Sequence, residues 1–396
     1  MPRTVPIALA GAAATTAVLA WLFSLPGVTG LFRWGYQRPV FIALALLAAA
    51  PPAFLLVAAA TRRLVSDKAA RFPRAVAALV GALGLLVSLA ACVGVSVAPV
   101  PGRPAESPLE LVDERVGIAP AADLARLSFA SDAHFGAETA NAAAREAVIS
   151  GVAASIPARD AFFVLGDHVE MGMLAGPWRE EAETFARLAP SLPLVGLMGN
   201  HDSLVNGAPR WRAYWKPDGA DAVSGSPYYR SFEAGPATIV ILNLLWGAES
   251  FDRKQRAWLE RTLAAIPPER PVIVLSHAFA WASGYIDPAS RRPWYDEAEL
   301  IARVCPILEK HRVELMISGH NHYLELLESN GVSYALVGAL GGKPDPEPTH
   351  RSPASKWIAV GEFGWLDVDA SAAGLALTFR DRNGTALREL FVETRP

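Results

Sequence analysis

Five short clusters in this 396-residue chain place ionisable and amide side chains next to one another. They are Asp132-Ala133-His134, Gly166-Asp167-His168-Val169-Glu170, Gly199-Asn200-His201-Asp202, Ser276-His277 and Gly319-His320-Asn321-His322. Imidazole nitrogens and carboxylate or amide oxygens are the ligands a divalent transition ion prefers. Two ions about 3.5–4 Å apart need a shared ligand, usually a carboxylate, and about three others each. Two carboxylates, an amide and four histidines among these clusters would satisfy that need, with His201 left over for chemistry.

Taken singly these motifs say little, because D-x-H and G-D are common in turns. G-N-H-D and G-H-N-H are more specific, since two histidines one residue apart point to the same side of an extended segment. What counts is their context. Each cluster follows a short apolar run of strand character: 124–131, 161–167, 192–200, 271–277 and 313–320. Helical stretches at 138–156, 177–189, 252–266 and 296–311 alternate with these runs, the last interrupted at Pro306. Such alternation predicts α/β architecture with strands buried on both faces. In open α/β sheets, sites form at the carboxyl ends of strands. Five strands delivering ligands to one edge make chance a poor explanation. A hairpin at 227–245 and β-rich segments after Tyr323, with a turn at Ser329-Asn330-Gly331, complete the domain.

The ordered motif set resembles the calcineurin-like metallophosphoesterase superfamily over about residues 124 to 345. The resemblance implies a four-layer α/β fold, a two-sheet β-sandwich flanked by helices, with a dinuclear centre at one end. It implies that Asp132, His134 and His322 bind a first ion, that Asn200, His277 and His320 bind a second, and that Asp167 bridges both. His201 would be the general acid or transition-state stabiliser, with Asp202 as its orienting partner. The cofactors implied are two divalent ions, with Mn, Fe, Zn and Co all compatible with N/O ligands, and the substrate is a phosphoester. The "YYRSFEAGPATIVILN" and "ISGHNHYLE" segments look most like the purple acid phosphatase-like branch. That branch has D-x-G at the first motif and a Tyr after the second. Here His134 and Glu170 stand in the first and second motifs, so a tyrosine-to-iron bond is not implied. His168 reads as structural. The loop 281–299, with Tyr285, Arg291, Arg292, Trp294 and Tyr295, reads either as a pocket wall or as a solvated surface loop.

The first 100 residues have a different character. Three uncharged apolar stretches, 5–25, 40–60 and 75–97, are long enough to span a bilayer, for which about 20 residues suffice. Pro51-Pro52 would kink or break the second. The first could instead be a secretory signal, but it is long for one. Residues 62–74 carry five Lys or Arg, which places that loop in the cytoplasm and everything after residue 97 outside. The expected layout is a membrane region over 1–100, a linker over 101–123 and a phosphoesterase domain over 124–396. Beyond residue 105 there are 27 basic and 38 acidic residues, a balance that disfavours nucleic-acid partners. Two cysteines, Cys92 and Cys305, give the outer domain no internal disulfide.

The reading is an integral membrane protein in contact with the lipid bilayer, with an extracytoplasmic metallophosphoesterase acting on a phosphoester such as a lipid or cell-envelope phosphate. A nucleotide or simple phosphomonoester is the alternative substrate. The alternative function is a catalytically inactive membrane scaffold or sensor on the same fold; a transporter is disfavoured because the spans hold no charge. A reporter that works only outside the cytoplasm, fused to the C-terminus, is expected to be active. Activity confined to a cytoplasmic reporter would contradict this topology.

Overall fold

The computed structural model describes residues 109–204, 207–215, 226–288 and 291–394. The three expected membrane spans lie outside these residues. Among the described residues, no helix is long and apolar enough to cross a membrane.

Two mixed sheets pack face to face. The first runs β15-β14-β13-β1-β2-β3, with β1 Leu124–Ala130, β2 Ala161–Val164, β3 Leu194–Gly196, β13 Gly364–Ser371, β14 Gly374–Asp381 and β15 Ala386–Glu393. The second runs β12-β10-β11-β9-β6-β5-β4, with β4 Arg230–Ala234, β5 Ala237–Ile241, β6 Val272–Leu275, β9 Leu315–Ser318, β10 Leu324–Ser329, β11 Val332–Val337 and β12 Ser355–Ala359. Each strand that precedes a ligand cluster has a parallel neighbour: β1 pairs with β2, β2 with β3, and β6 with both β5 and β9.

Period-two alternation along β2 shows how the layers are built. Phe163 points between the sheets, where its ring stacks on Phe129 at 4.7 Å and lies parallel to Phe232 at 6.4 Å. Phe162 points the other way and meets Phe185 of a covering helix at 6.1 Å. That helix, α2 (Ala175–Leu188), and α1 (Ala142–Ala153) cover the first sheet. The outer face of the second sheet is packed by α5 (Arg253–Ala265), α6 (Ala298–Arg303) and α7 (Cys305–Lys310), whose Leu259, Leu263, Leu300 and Leu308 are buried against Val240 and Val274. Two short helices, α3 (Asn200–Ser203) and α4 (Ala208–Trp215), lie between β3 and β4. The result is the expected sandwich flanked by helices.

Local signals explain most boundaries. Asn141 caps α1 through the Ala144 amide, and Asp252 caps α5 through Gln255. The expected helix over 296–311 is two helices joined at Val304, with Pro306 in the first turn of α7, where its missing N–H costs nothing. Asn330 and Gly331 both take positive φ, 49° and 82°, as the tight turn between β10 and β11 requires.

One expectation is corrected. Residues 109–123, read as linker, pack on the domain. The Val112 amide donates to the Leu194 carbonyl, and Leu194 donates to Glu110. Val112 and Ile118 are buried in the inter-sheet core, and Glu114 forms a buried ion pair with Arg230. Proline content suggested a linker, but these apolar residues have a sheet edge to cover.

Candidate metal centre

The two sheets are stitched together where the ligand clusters emerge. Ser131, at the end of β1, donates its amide to Val337 of β11 and accepts from Leu340. The turns that follow are contorted. Asp132, His134, Asp167 and His320 all have positive φ, between 47° and 75°. Non-glycine residues rarely adopt this conformation, and each instance costs of order 1–3 kcal/mol unless its surroundings fix it. Close approach is the reason three of the clusters begin with glycine. A Cβ on Gly199 would lie 2.2 Å from the Asp167 amide and 2.3 Å from its Oδ1.

These turns bring all seven expected ligands together. His322 Nε2 lies 3.3 Å from Asp132 Oδ1 and 3.2 Å from His134 Nε2, and His134 Nε2 is 3.7 Å from both Asp132 Oδ1 and Asp167 Oδ2. On the other side of Asp167, His277 Nε2 is 3.4 Å from Oδ2, 2.7 Å from Asn200 Oδ1 and 3.0 Å from His320 Nδ1. Asp167 therefore touches both groups, as a bridging ligand must. The carboxylate, amide and imidazole groups are buried, apart from a partly open His322.

Hydrogen bonding fixes which nitrogens carry lone pairs. His134 Nδ1 faces Glu170 Oε2 at 2.8 Å, His322 Nδ1 faces the Lys343 carbonyl at 2.6 Å, and His277 Nδ1 faces the Leu165 carbonyl at 2.9 Å. Each of these oxygens accepts, so each Nδ1 donates and each neutral ring turns an Nε2 lone pair inward. Those lone pairs face carboxylate oxygens, an amide oxygen and one another. Asp132 Oδ1 is buried without a hydrogen bond. A dry cluster of acceptors pointing at acceptors is unfavourable unless a cation sits among them. The residues therefore fit two divalent ions: Asp132, His134, His322 and Asp167 for one, and Asp167, Asn200, His277 and His320 for the other. The Glu170 carboxylate and the Lys343 and Leu165 carbonyls on the outer nitrogens of His134, His322 and His277 fix tautomer and orientation, as in other metal sites.

Without a cation, protons take its place. Burial opposes charge on His277, but the adjacent Asp167 holds the imidazole up to about 9. Burial also raises the carboxyls, yet His134 and His322 beside Asp132 keep its pKa well below the usual range.

The remaining residues divide clearly. His201 Nδ1 donates to the Glu170 carbonyl at 2.8 Å, leaving Nε2 aimed inward, 3.8 Å from Asp167 Oδ2. Asp202, expected to orient His201, instead accepts from the backbone amides of Gly199 (2.8 Å) and Val169 (3.2 Å). It braces one ligand turn against another, and burial pushes its carboxyl up to about 6. The residue on the His201 ring is Glu170, which also grips His134. It was visible in sequence only as a carboxylate three residues past Asp167. His168 is structural as expected: its ring nitrogens contact Glu181 Oε1 (2.8 Å) and the Leu197 carbonyl (2.9 Å), and it lies on Trp215 at 4.4 Å. Asp345, which accepts from the His322 amide at 2.8 Å, had no sequence signal.

The sequence profile described as Calcineurin-like phosphoesterase matches residues 125–324, half of the chain. The chain belongs to this family. Within it, the tartrate-resistant acid phosphatase type 5 of rat (Rattus norvegicus) is 26% identical over 239 residues, covering 53% of this chain and 69% of that protein. The rabbit (Oryctolagus cuniculus) protein of the same name is 30% identical over 145 residues, covering 34% of this chain but only 41% of the relative. The solved purple acid phosphatase from yellow lupin (Lupinus luteus) seeds shares the phosphoesterase fold, with a TM-score of 0.57 at 14% identity over 69% of this chain and 54% of that one.

Because a bound ion must displace the proton on His277, the metal-free chain should bind Mn or Zn more tightly as pH rises from 6 towards 9, by about tenfold per unit for each proton displaced. Calorimetry in buffers of different ionisation enthalpy should show proton release on binding. An affinity independent of pH over this range would contradict the site chemistry.

Proposed function

We propose that this chain is a metal-dependent phosphoesterase that hydrolyses phosphate esters by two-metal activation of water. The observation that carries this reading is the meeting of two ligand groups at one shared carboxylate, Asp167, with His201 Nε2 aimed at the same place. Two ions held there would neutralise phosphate charge and acidify water near neutral pH.

The chain's own residues perform the rest. Glu170 and the Lys343 and Leu165 carbonyls hold the ligand rings with Nε2 inward. His201, fixed through Nδ1 by the Glu170 carbonyl, exchanges a proton at Nε2 with the leaving oxygen. Burial lowers its pKa below the ordinary histidine value near 6.5. The ring carries the second proton only below that lowered pKa, so acid catalysis by His201 belongs to acidic pH and is lost as pH rises.

The setting we propose is an extracytoplasmic domain tethered by the apolar N-terminal region. A lipid or cell-envelope phosphate would then be within reach. The excess of acidic residues beyond position 105 favours a compact phosphoester over a nucleic acid.

His201→Ala should lower turnover of an alkyl phosphate by about 10²–10⁴-fold on the acidic side of the pH profile, with metal content retained. A nitrophenyl phosphate, whose leaving group needs no proton, should lose much less. Equal losses for the two esters would remove the acid role. No hydrolysis by the metal-loaded wild type would return the scaffold reading.

A further inference from the structure

The second ligand group is walled by aromatic rings. The His320 ring has Trp294 at 4.7 Å between centroids, Trp246 edge-on at 5.8 Å and Phe279 at 5.8 Å. Trp246 and Phe279 are buried, at 3% and 5% exposure, whereas Trp294 is half-buried. Of the three rings beside this ligand, Trp294 is the one that keeps open surface.

The position of Trp294 is closely fixed. Tyr285–Ile286 (β7) and Pro293–Trp294 (β8) form a two-stranded ribbon in which Tyr285 lies opposite Trp294, so both side chains share one face. The Tyr285 hydroxyl donates to Asp345 Oδ1 at 3.0 Å, and the other oxygen of that carboxylate accepts from the His322 amide. At the base of the ribbon, Ser283 gives its amide and hydroxyl to the buried Glu325 at 2.9 and 2.6 Å. The ribbon is thus tied to residues 320–325, the segment that carries two ligands.

On the His201 side, the Gly172 amide donates to the His201 carbonyl at 3.0 Å. The next two residues, Met173 and Leu174, are 37% and 49% exposed. Six large apolar side chains are exposed among the described residues, and two of them occur here.

We propose that the site selects phosphate esters whose organic group is apolar, and that this group packs on Trp294 beside His320 and on Met173 and Leu174 on the His201 side. The proposal rests on the phosphoesterase reading and narrows its substrate class. An apolar group leaving water for a fixed aromatic surface gains binding that a polyol cannot match.

The test compares kcat/KM for 2-phenylethyl phosphate, n-octyl phosphate and glycerol 1-phosphate with the metal-loaded full chain. All three are primary alkyl esters, so leaving-group chemistry is similar and the ratios report packing. The wild type should prefer the apolar esters by about tenfold or more. In Trp294→Ala that ratio should fall about tenfold, with Trp294→Phe intermediate, and Met173→Ser/Leu174→Ser should lower it independently. Loss confined to phenylethyl phosphate identifies an aryl substrate, and loss confined to octyl phosphate an aliphatic one. A wild type without preference, or variants that slow all three esters equally, overturns the proposal. Calorimetry of benzylphosphonate against methylphosphonate on the same variants provides a readout that does not need turnover. If no ester is cleaved yet benzylphosphonate binds more tightly through Trp294, the hydrolase reading fails and the apolar site stands; equal affinities overturn the site.

Discussion

The structure turns on one electrostatic fact. Asp132 and Asp167 are buried carboxylates ringed by imidazoles whose lone pairs are forced inward. Removing so many acceptors from water is costly, and the cost is offset only when positive charge sits between them. Protons can supply that charge, as the raised pKa of His277 shows. Divalent ions supply more of it with fewer bodies, and they leave the rings neutral. The same arrangement that makes the site unfavourable when empty of charge would favour a bound metal ion.

The rest of the domain exists to hold that arrangement. Parallel strands from two sheets end at one edge, and the sandwich core between Phe129, Phe163 and Phe232 keeps those ends in register. Four positive-φ residues among the ligands are tolerated because the turns are tied on several sides: His134 donates to the Asp167 carbonyl, Asp132 to the Gly166 carbonyl, and Asp202 ties the Gly199 and Val169 amides together. Beneath them, His168 and Glu181 form a buried pair packed on Trp215, raising the His168 pKa to about 9. Site chemistry and local stability are therefore coupled through the same few loops.

Much of this was legible in sequence, for a physical reason. Apolar runs that end abruptly in polar residues encode both the strand and its exit, so the five strand ends could be read directly, and the seven candidate ligands followed from the resemblance they carry. What stayed hidden depends on tertiary contact. Glu170 looks like an ordinary surface carboxylate until His134 is brought to it. Asp202 sits next to His201 in sequence, but helical geometry turns its carboxylate back on Gly199 and Val169. Asp345 and the Tyr285–Trp294 ribbon lie in segments rich in Pro and charge, where pattern carries little information. Residues 109–123 show the converse: composition suggested a linker, yet Val112 and Ile118 complete a core whose other members come from far along the chain.

The most direct test of the central claim is anomalous X-ray diffraction from crystals of the chain grown with Mn or Zn, collected at the absorption edge of the ion. Two peaks about 3.5–4 Å apart are expected, one among Asp132, His134 and His322, the other among Asn200, His277 and His320, with Asp167 between them. A single peak, or occupancy away from Asp167, would contradict the two-ion account.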